Sequence, residues 1–444
     1  MKLNKKTTKT ALIYLIPGIL FFTLIGGCNE QPTELGMILH QDTIVLEGLS
    51  TPEYEFITDY DAFQVHETYL QSAFLTGKAG EVKASTLMQI GFDQRPDTLD
   101  YLTEADIIEA KLHLYANDYV YGNEQSPQLA FDVKRVERQW HPKSNFIDST
   151  GVDYSKVFTT WDSLFVSPAN YFGETVGSYL GSIDVADSLS RILQLSIDPS
   201  YMIELFRTDG SNEQPHPENW GFGLVPREGS NVVHQFNFYG VGDDINNDDG
   251  TLRTPHFTVI YNSKEGTVDT LKIYAETAAQ FCTSPPPASK RFVVQSGDNW
   301  RTSINFNIDS IPALAGIVKA DLEIFYDSEN SFFGSSGQDS IINLAWVADT
   351  VSSSLFSDLT YTGYRVDSTN SYYFPSLGSS YEWWLRTNAH RSLVLLPYQY
   401  TSNVQDRNAE PFHIDRLSFF GPEAEDPAKR PKLRVIYSYV PEKE

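Results

Sequence analysis

IIEAKLHLY, residues 107–115, and IVKADLEIF, residues 317–325, are the same sentence written twice. In each, apolar residues alternate with polar ones after an alanine, Ala110 or Ala320. Period-two alternation is the pattern of a strand with one buried face. Working outward, the match extends through four further blocks in the same order. Leu87–Asp93 precedes the first copy as Ser303–Asp309 precedes the second. Trp220–Pro226 follows as His390–Pro397 does, Phe236–Gly240 as Leu417–Gly421, and Arg253–Tyr261 as Arg430–Tyr437. Generic amphipathic strands explain any one block but not five in order, so the chain contains a diverged internal repeat.

Between the blocks, strands are short and turn signals frequent, at Asp118, Gly122-Asn123, Asp243–Gly250 and Gly334–Gly337. Helical periodicity is confined to one place in each copy: Pro199–Phe206, with proline at a first-turn position, and Ser380–Arg386. The expected fold class is all-β, two tandem antiparallel β-sandwich domains of jelly-roll-like form, each with one short helix. Composition agrees, since aromatics reach 13% with 25 Tyr and 27 Phe but only 4 Met. The expected organisation is residues 1–27 as a leader, 28–50 as a linker, 51–263 as the first domain and 267–440 as the second. The polar junction at 262–267 is expected to allow limited hinge motion. The first copy carries an insertion between Trp140 and Leu195.

The leader has its own signature. Lys2, Lys5, Lys6 and Lys9 form a positive head before the apolar run Ala11–Ile25. That is the layout of a secretory signal peptide, and the run is short for a membrane span. Leu24-Ile25-Gly26-Gly27-Cys28 resembles the bacterial lipobox, which implies cleavage before Cys28 and its acylation. More than one acyl chain makes a stable anchor. With Cys28 acylated, Cys282 is the remaining cysteine, and no intramolecular disulfide is available. The net charge is −25, and the leader's four lysines face no acid, so the chain from Cys28 onward is still more negative. Such a body repels phosphate backbones, which argues against nucleic-acid partners.

The repeated blocks carry a second resemblance. The motif from Ala110 to Tyr115, the short helix, the apolar strand Gly221–Val225 and the terminal Arg430–Tyr437 are similar to DNRLRE, or disaggregatase-related, β-sandwich repeats. The family's LLRF block is matched only loosely, by Leu87–Ile90, and the second copy departs further. The resemblance implies a fold like that of carbohydrate-binding modules in secreted and surface proteins. The lipobox followed by Glu34-Leu-Gly36 also resembles uncharacterised outer-membrane lipoproteins of the Bacteroidota. Together these imply a lipid-anchored protein of the outer membrane, with the leaflet, periplasmic or surface-facing, left open. The implied role is non-catalytic binding of glycan or another surface polymer. The alternative is a structural or assembly lipoprotein contacting envelope protein partners.

Motifs for chemistry are sparse. The sequence has no HExxH, GxSxG or Walker motif, no zinc spacing among its nine histidines, and no motif that requires a cofactor. Asp244, Asn246 and Asp248 alternate oxygen ligands as calcium loops do. The glycine of that stretch, Gly250, falls one place late for an EF-hand, and no acid stands at the twelfth position, so a solvated hairpin turn is favoured over Ca2+. Cys282 has no neighbouring histidine and reads as a packing residue. Sugar binding leaves aromatic rings as candidates, because flat apolar faces stack on pyranose rings. Tyr119, Tyr121, Trp140 and Trp161 lie near expected loops of the first copy, where rings need not fill a core. Of the adjacent Trp383 and Trp384, at least one is expected in the core.

Overall fold

The computed structural model describes residues 44–51, 55–64, 73–90, 102–138, 140, 171–184, 191–206, 220–238, 254–298, 300–347, 356–387, 391–397 and 413–441. The chain is all-β and antiparallel. The first copy contains β3 (Ala73–Ala79), β4 (Val82–Ile90), β5 (Ile107–Gly122), β6 (Leu129–Val136), β7 (Phe172–Gly181), β8 (Ile192–Ser196), helix α1 (Pro199–Phe206), β9 (Phe222–Pro226), β10 (Val232–Asn237) and β11 (His256–Asn262). The second repeats this order: β13 (Arg291–Gln295), β14 (Trp300–Phe306), β15 (Gly316–Phe325), β16 (Ile341–Val347), β17 (Phe356–Val366), β18 (Ser371–Phe374), α2 (Gly378–Arg386), β19 (Ser392–Pro397), β20 (Arg416–Phe420) and β21 (Lys432–Tyr439). Three more strands, β1 (Val45–Ser50), β2 (Ile57–Gln64) and β12 (Val268–Thr283), lie outside this one-to-one list.

Registers make the equivalence exact to the residue. Val259 opposes Ala110, and Val435 opposes Ala320. Tyr261 opposes Ile107 and Tyr437 opposes Ile317, each across a break in register at the same place. The Ile197 N–H donates to Ala110 O at 2.9 Å as Leu377 N–H donates to Ala320 O at 2.8 Å, which seats each helix on its sheet. The buried hydroxyls of Thr86 and Thr302 donate to Leu75 O and Val293 O, both at 2.9 Å. One block is offset from its reading in the sequence. Phe236 faces Ala116 and Phe419 faces Tyr326, each six residues past the paired alanines, so Phe236 corresponds to Phe419 rather than Leu417. The shared glycines Gly240 and Gly421 favour an alignment two residues away.

The three extra strands are exchanged between the copies. β12, which follows the first copy, completes it: residues 268–274 pair with β11 and 275–283 with β4. β1 and β2, which precede the first copy, complete the second. Val45–Ser50 pairs with β21, and Ile57–Gln64 pairs with β14. Asp269 opposite Tyr261 and Glu47 opposite Tyr437 are the same contact in the two copies. The strand pairing therefore does not follow the contiguous boundaries 51–263 and 267–440, and residues 45–50 of the expected linker 28–50 are a strand of the second copy's sheet. The segment at 262–267 is no hinge. It is the β11–β12 hairpin turn, with the Ser263 N–H donating to Thr267 O at 2.8 Å and Gly266 taking φ +75°, a conformation glycine adopts without steric cost. The connection between copies is instead the proline-rich Ser284–Ser289, ahead of β13.

β12 and the segment entering β2 bury core residues, while β1 adds only the partly buried Leu49 at the margin of the second core. Ile273, Ala275 and Ala278 enter the first core beside Leu112, Phe236 and Phe257. Phe56 and Ile57 enter the second beside Ile304, Phe306 and Trp384. A third cluster joins the copies, formed by Leu75, Val233, Tyr119 and Cys282 with Ile414, flanked by Tyr121 and Phe332.

Candidate functional site

The two copies differ at one corner. In the second, β17 turns back into β18 and pairs with it, Tyr364 opposite Tyr373 and Val366 opposite Ser371, which closes the sheet. In the first, β7 pairs with β6 and β8 with β5, and no ladder joins β7 to β8 among the described residues. The splayed corner leaves a cleft of about 400 Å3. Its walls are Asp118, Val120, Glu124 and Pro127 from β5 and the turn after it, and Ser182, Ile183 and Asp184 from the end of β7. His234 of β10 also lines it, and the second copy contributes Ser335.

Ser335 is held there as a strand would be. Its N–H donates to Val120 O at 2.7 Å, its Oγ accepts from the Val120 N–H at 2.9 Å, and its Oγ also donates to Asp118 O at 3.1 Å. Gly334 permits this approach, since a Cβ there would lie 2.6 Å from both Tyr119 Cε2 and Val120 O. Arg191 pairs with Asp118 at 2.6 Å on the rim.

His234 is 1% exposed, and neither ring nitrogen has a hydrogen-bond partner among the described residues. Its register partner on β3 is Thr76, fully buried, whose hydroxyl is also unpartnered. Register places Val294 and Leu417 at these two positions in the second copy, opposite one another on β13 and β20. One copy thus fills the site with hydrocarbon and the other with three unsatisfied polar atoms. An unmet buried polar group costs about 1–3 kcal/mol, and such groups in native proteins call for a water, an ion or a ligand. Burial pulls the His234 pKa down to about 4, so at neutral pH the ring is uncharged, a donor at one nitrogen and an acceptor at the other.

The ring residues expected to bind sugar lie elsewhere. Tyr119 is not near a loop end but within β5, which continues through Asp118 to Gly122 because β10 pairs with it after a bulge. Its ring is buried between the copies, stacked on His413 at 4.6 Å, and burial raises its pKa, with Asp415 adding to the rise. Tyr121 is half-buried against Phe332 of the second copy. Trp140 is 1% exposed, packs with Leu87, Val136, Tyr171 and Phe281, and donates Nε1–H to Trp220 O at 2.7 Å. Tyr119 and Trp140 are therefore corrected from exposed stacking faces to packing residues: each ring fills apolar space between layers and satisfies its polar atom internally. Trp161, the acidic turn with Asp244, Asn246 and Asp248, and Cys28 lie outside the described residues. Trp384 is core and Trp383 half-exposed. Cys282 is fully buried, and desolvation raises its thiol pKa, which suits packing and not nucleophilic work.

His234 was legible in one respect. Val232 and Phe236 of β10, with Phe238 just after it, mark an inward row, all in the first core, and His234 interrupts that row. Thr76, Ser182 and Ser335 have no such signal, because tertiary folding alone brings them together. The chain matches no protein-family model and no curated protein.

Proposed function

We propose that this chain is a lipid-anchored cell-envelope protein whose first copy binds a glycan, or another hydroxyl-rich surface polymer, without catalysis. The observation that carries the reading is the unpartnered His234, which lines the cleft, and its unpartnered register partner Thr76. A sugar hydroxyl both donates and accepts, as a neutral imidazole and a threonine hydroxyl do. Asp118, Glu124 and Asp184 supply further acceptors, Ser182 and Ser335 supply groups of both kinds, and Pro127 offers apolar surface to ring C–H faces, with Val120 and Ile183 largely buried beneath the wall. The acidic rim and the negative chain disfavour polyanions, so a neutral or amino-bearing polymer fits best. The resemblance to carbohydrate-binding β-sandwiches supports the same class, and the lipobox supports outer-membrane anchoring through Cys28.

Affinity electrophoresis of the full chain through gels containing neutral glucan, neutral mannan or acidic polysaccharide tests this. The neutral polymers should retard the chain, and Thr76→Val/His234→Leu should abolish the retardation. Equal mobility in all gels, with a stoichiometric envelope protein co-purifying, would instead favour the assembly role.

A further inference from the structure

The strand exchange changes which copy the anchor holds. Sequence order places the first copy next to Cys28. The structure places β1 on β21, so the chain arriving from Cys28 enters at the edge of the second copy. Residues 29–43 can span at most about 50 Å, whatever their conformation. The second copy is thus the membrane-proximal one if Cys28 is acylated.

That edge has an unusual surface. Leu46 opposes Ser438, which opposes Gly316, across β1, β21 and β15. Ile44 and Val440 flank the next pair, Val45 and Tyr439, on the outward side. Leu314 and Val318 stand two residues to either side of Gly316. All five apolar side chains are more than half exposed, Leu314 98%. The repeat supplies a control. The first copy also exposes Ile108 and Val268, the counterparts of Val318 and Leu46, so that pair belongs to the fold. The difference lies in what surrounds it. By the register that matches Ile107 to Ile317, Glu104, Asp106 and Glu109 of the first copy become Leu314, Gly316 and Lys319 in the second. Three acids are replaced by an aliphatic residue, a glycine and a base in a strongly acidic protein. Ile311–Val318 carries no charge at all. Exposed apolar patches of this kind mark interaction surfaces, and this one sits where the tether begins.

We infer that the patch formed by Ile44, Leu46, Leu314, Val318 and Val440 docks on the lipid surface that holds the anchor, so that the second copy lies against the membrane. The inference rests on acylation of Cys28, proposed above.

The test uses the full acylated chain on phosphatidylethanolamine–phosphatidylcholine vesicles containing brominated lipid. An environment-sensitive fluorophore is attached at Leu314→Cys or, as control, at the exposed Glu228→Cys; Cys282 is buried and does not compete. The label at 314 should lose intensity to the bromolipid and shift to the blue, and the label at 228 should not. Adding Leu46→Asp and Val318→Asp should remove the response at 314 while the chain still sediments with the vesicles. Sedimentation with equal, small responses at both labels overturns the docking and leaves the anchor intact. Absence of acyl label at Cys28 overturns the anchor and the docking together.

Discussion

The Tyr119 hydroxyl donates to Asp415 Oδ1 at 2.7 Å, although 296 positions separate the two residues. The same oxygen accepts from the Gly334 N–H at 2.7 Å, Oδ2 accepts from Ser336 Oγ at 2.8 Å, and the tyrosine oxygen accepts from the Ile414 N–H at 2.9 Å. This buried network fastens β5 of the first copy to the β15–β16 connection and to the two residues that lead into β20 of the second. It also holds Ser335 at the mouth of the cleft, so the junction and the candidate site share one support.

Tyr119→Phe keeps the ring and removes both bonds of the hydroxyl, leaving the Ile414 N–H without an acceptor. The expected loss is about 1–3 kcal/mol, read as a lower urea midpoint. An unchanged midpoint would show that the network does not fasten the copies.

Gly334→Ala attacks the same junction from the other side. The new methyl meets backbone at Val120 O as well as the Tyr119 ring, and backbone cannot step aside as a flexible side-chain end can. The expected result is a lower urea midpoint together with weaker polysaccharide retardation, because Ser335 moves with Gly334. A midpoint and mobility equal to the parent's would show that the approach is not tight.

The exchanged strands make a plain expectation about fragments. Residues 267–444 lack β1 and β2 and carry β12, whose pairing partners β4 and β11 are missing. They should fold poorly, losing Phe56 and Ile57 from the core at about 1.5–3 kcal/mol for each buried side chain. A peptide spanning 44–64 should restore near-ultraviolet dichroism to a fragment beginning at 284. A cooperative transition in 267–444 alone, indifferent to the peptide, would show that β1 and β2 are dispensable.

Much of the fold was legible in the sequence because strand alternation and repetition are local. The alanine-anchored strands, both helices and the order of the five blocks needed no tertiary knowledge. Strand membership was not legible. Residues 45–64 and 268–283 have similar alternation and hydrophobicity, and nothing local states which sheet each one completes. The site was hidden for the opposite reason. Aromatic rings suit sugar binding and core packing equally well, so Tyr119 and Trp140 could not be assigned without burial. His234 announced itself only as a polar residue in an apolar row, and its meaning came from comparison with Leu417.

Replacing the polar pair by its second-copy counterpart, Thr76→Val/His234→Leu, should stabilise the protein by about 1–3 kcal/mol, because unsatisfied polar groups give way to hydrocarbon. The pH dependence carries a sign. The His234 pKa falls from the ordinary 6.5 to about 4 on folding. The unfolded chain therefore takes up a proton between those values while the folded chain does not, and stability declines as pH drops through that window, by about 3 kcal/mol in full. His256, also near 4, acts in the same direction. Asp298 and Asp339, raised by burial to about 6, act oppositely below that pH. The clearest window is therefore pH 6 to 7, where the doubly substituted protein should lose less stability on acidification than the parent. Parallel denaturation curves at each pH in that window would show that His234 titrates normally.

The binding role of the cleft is tested most directly at the imidazole itself. The full chain, with 15N-labelled histidine, is titrated with the oligosaccharide of whichever neutral polymer retards it, and the ring nitrogens of His234 are observed at pH 7. Both His234 nitrogens should show a saturable shift as they gain hydrogen-bond partners, with the ring remaining neutral, and binding should weaken about tenfold or more in Thr76→Val/His234→Leu. Saturable binding that leaves the His234 nitrogens unmoved, and that survives the double substitution at full affinity, would contradict that role.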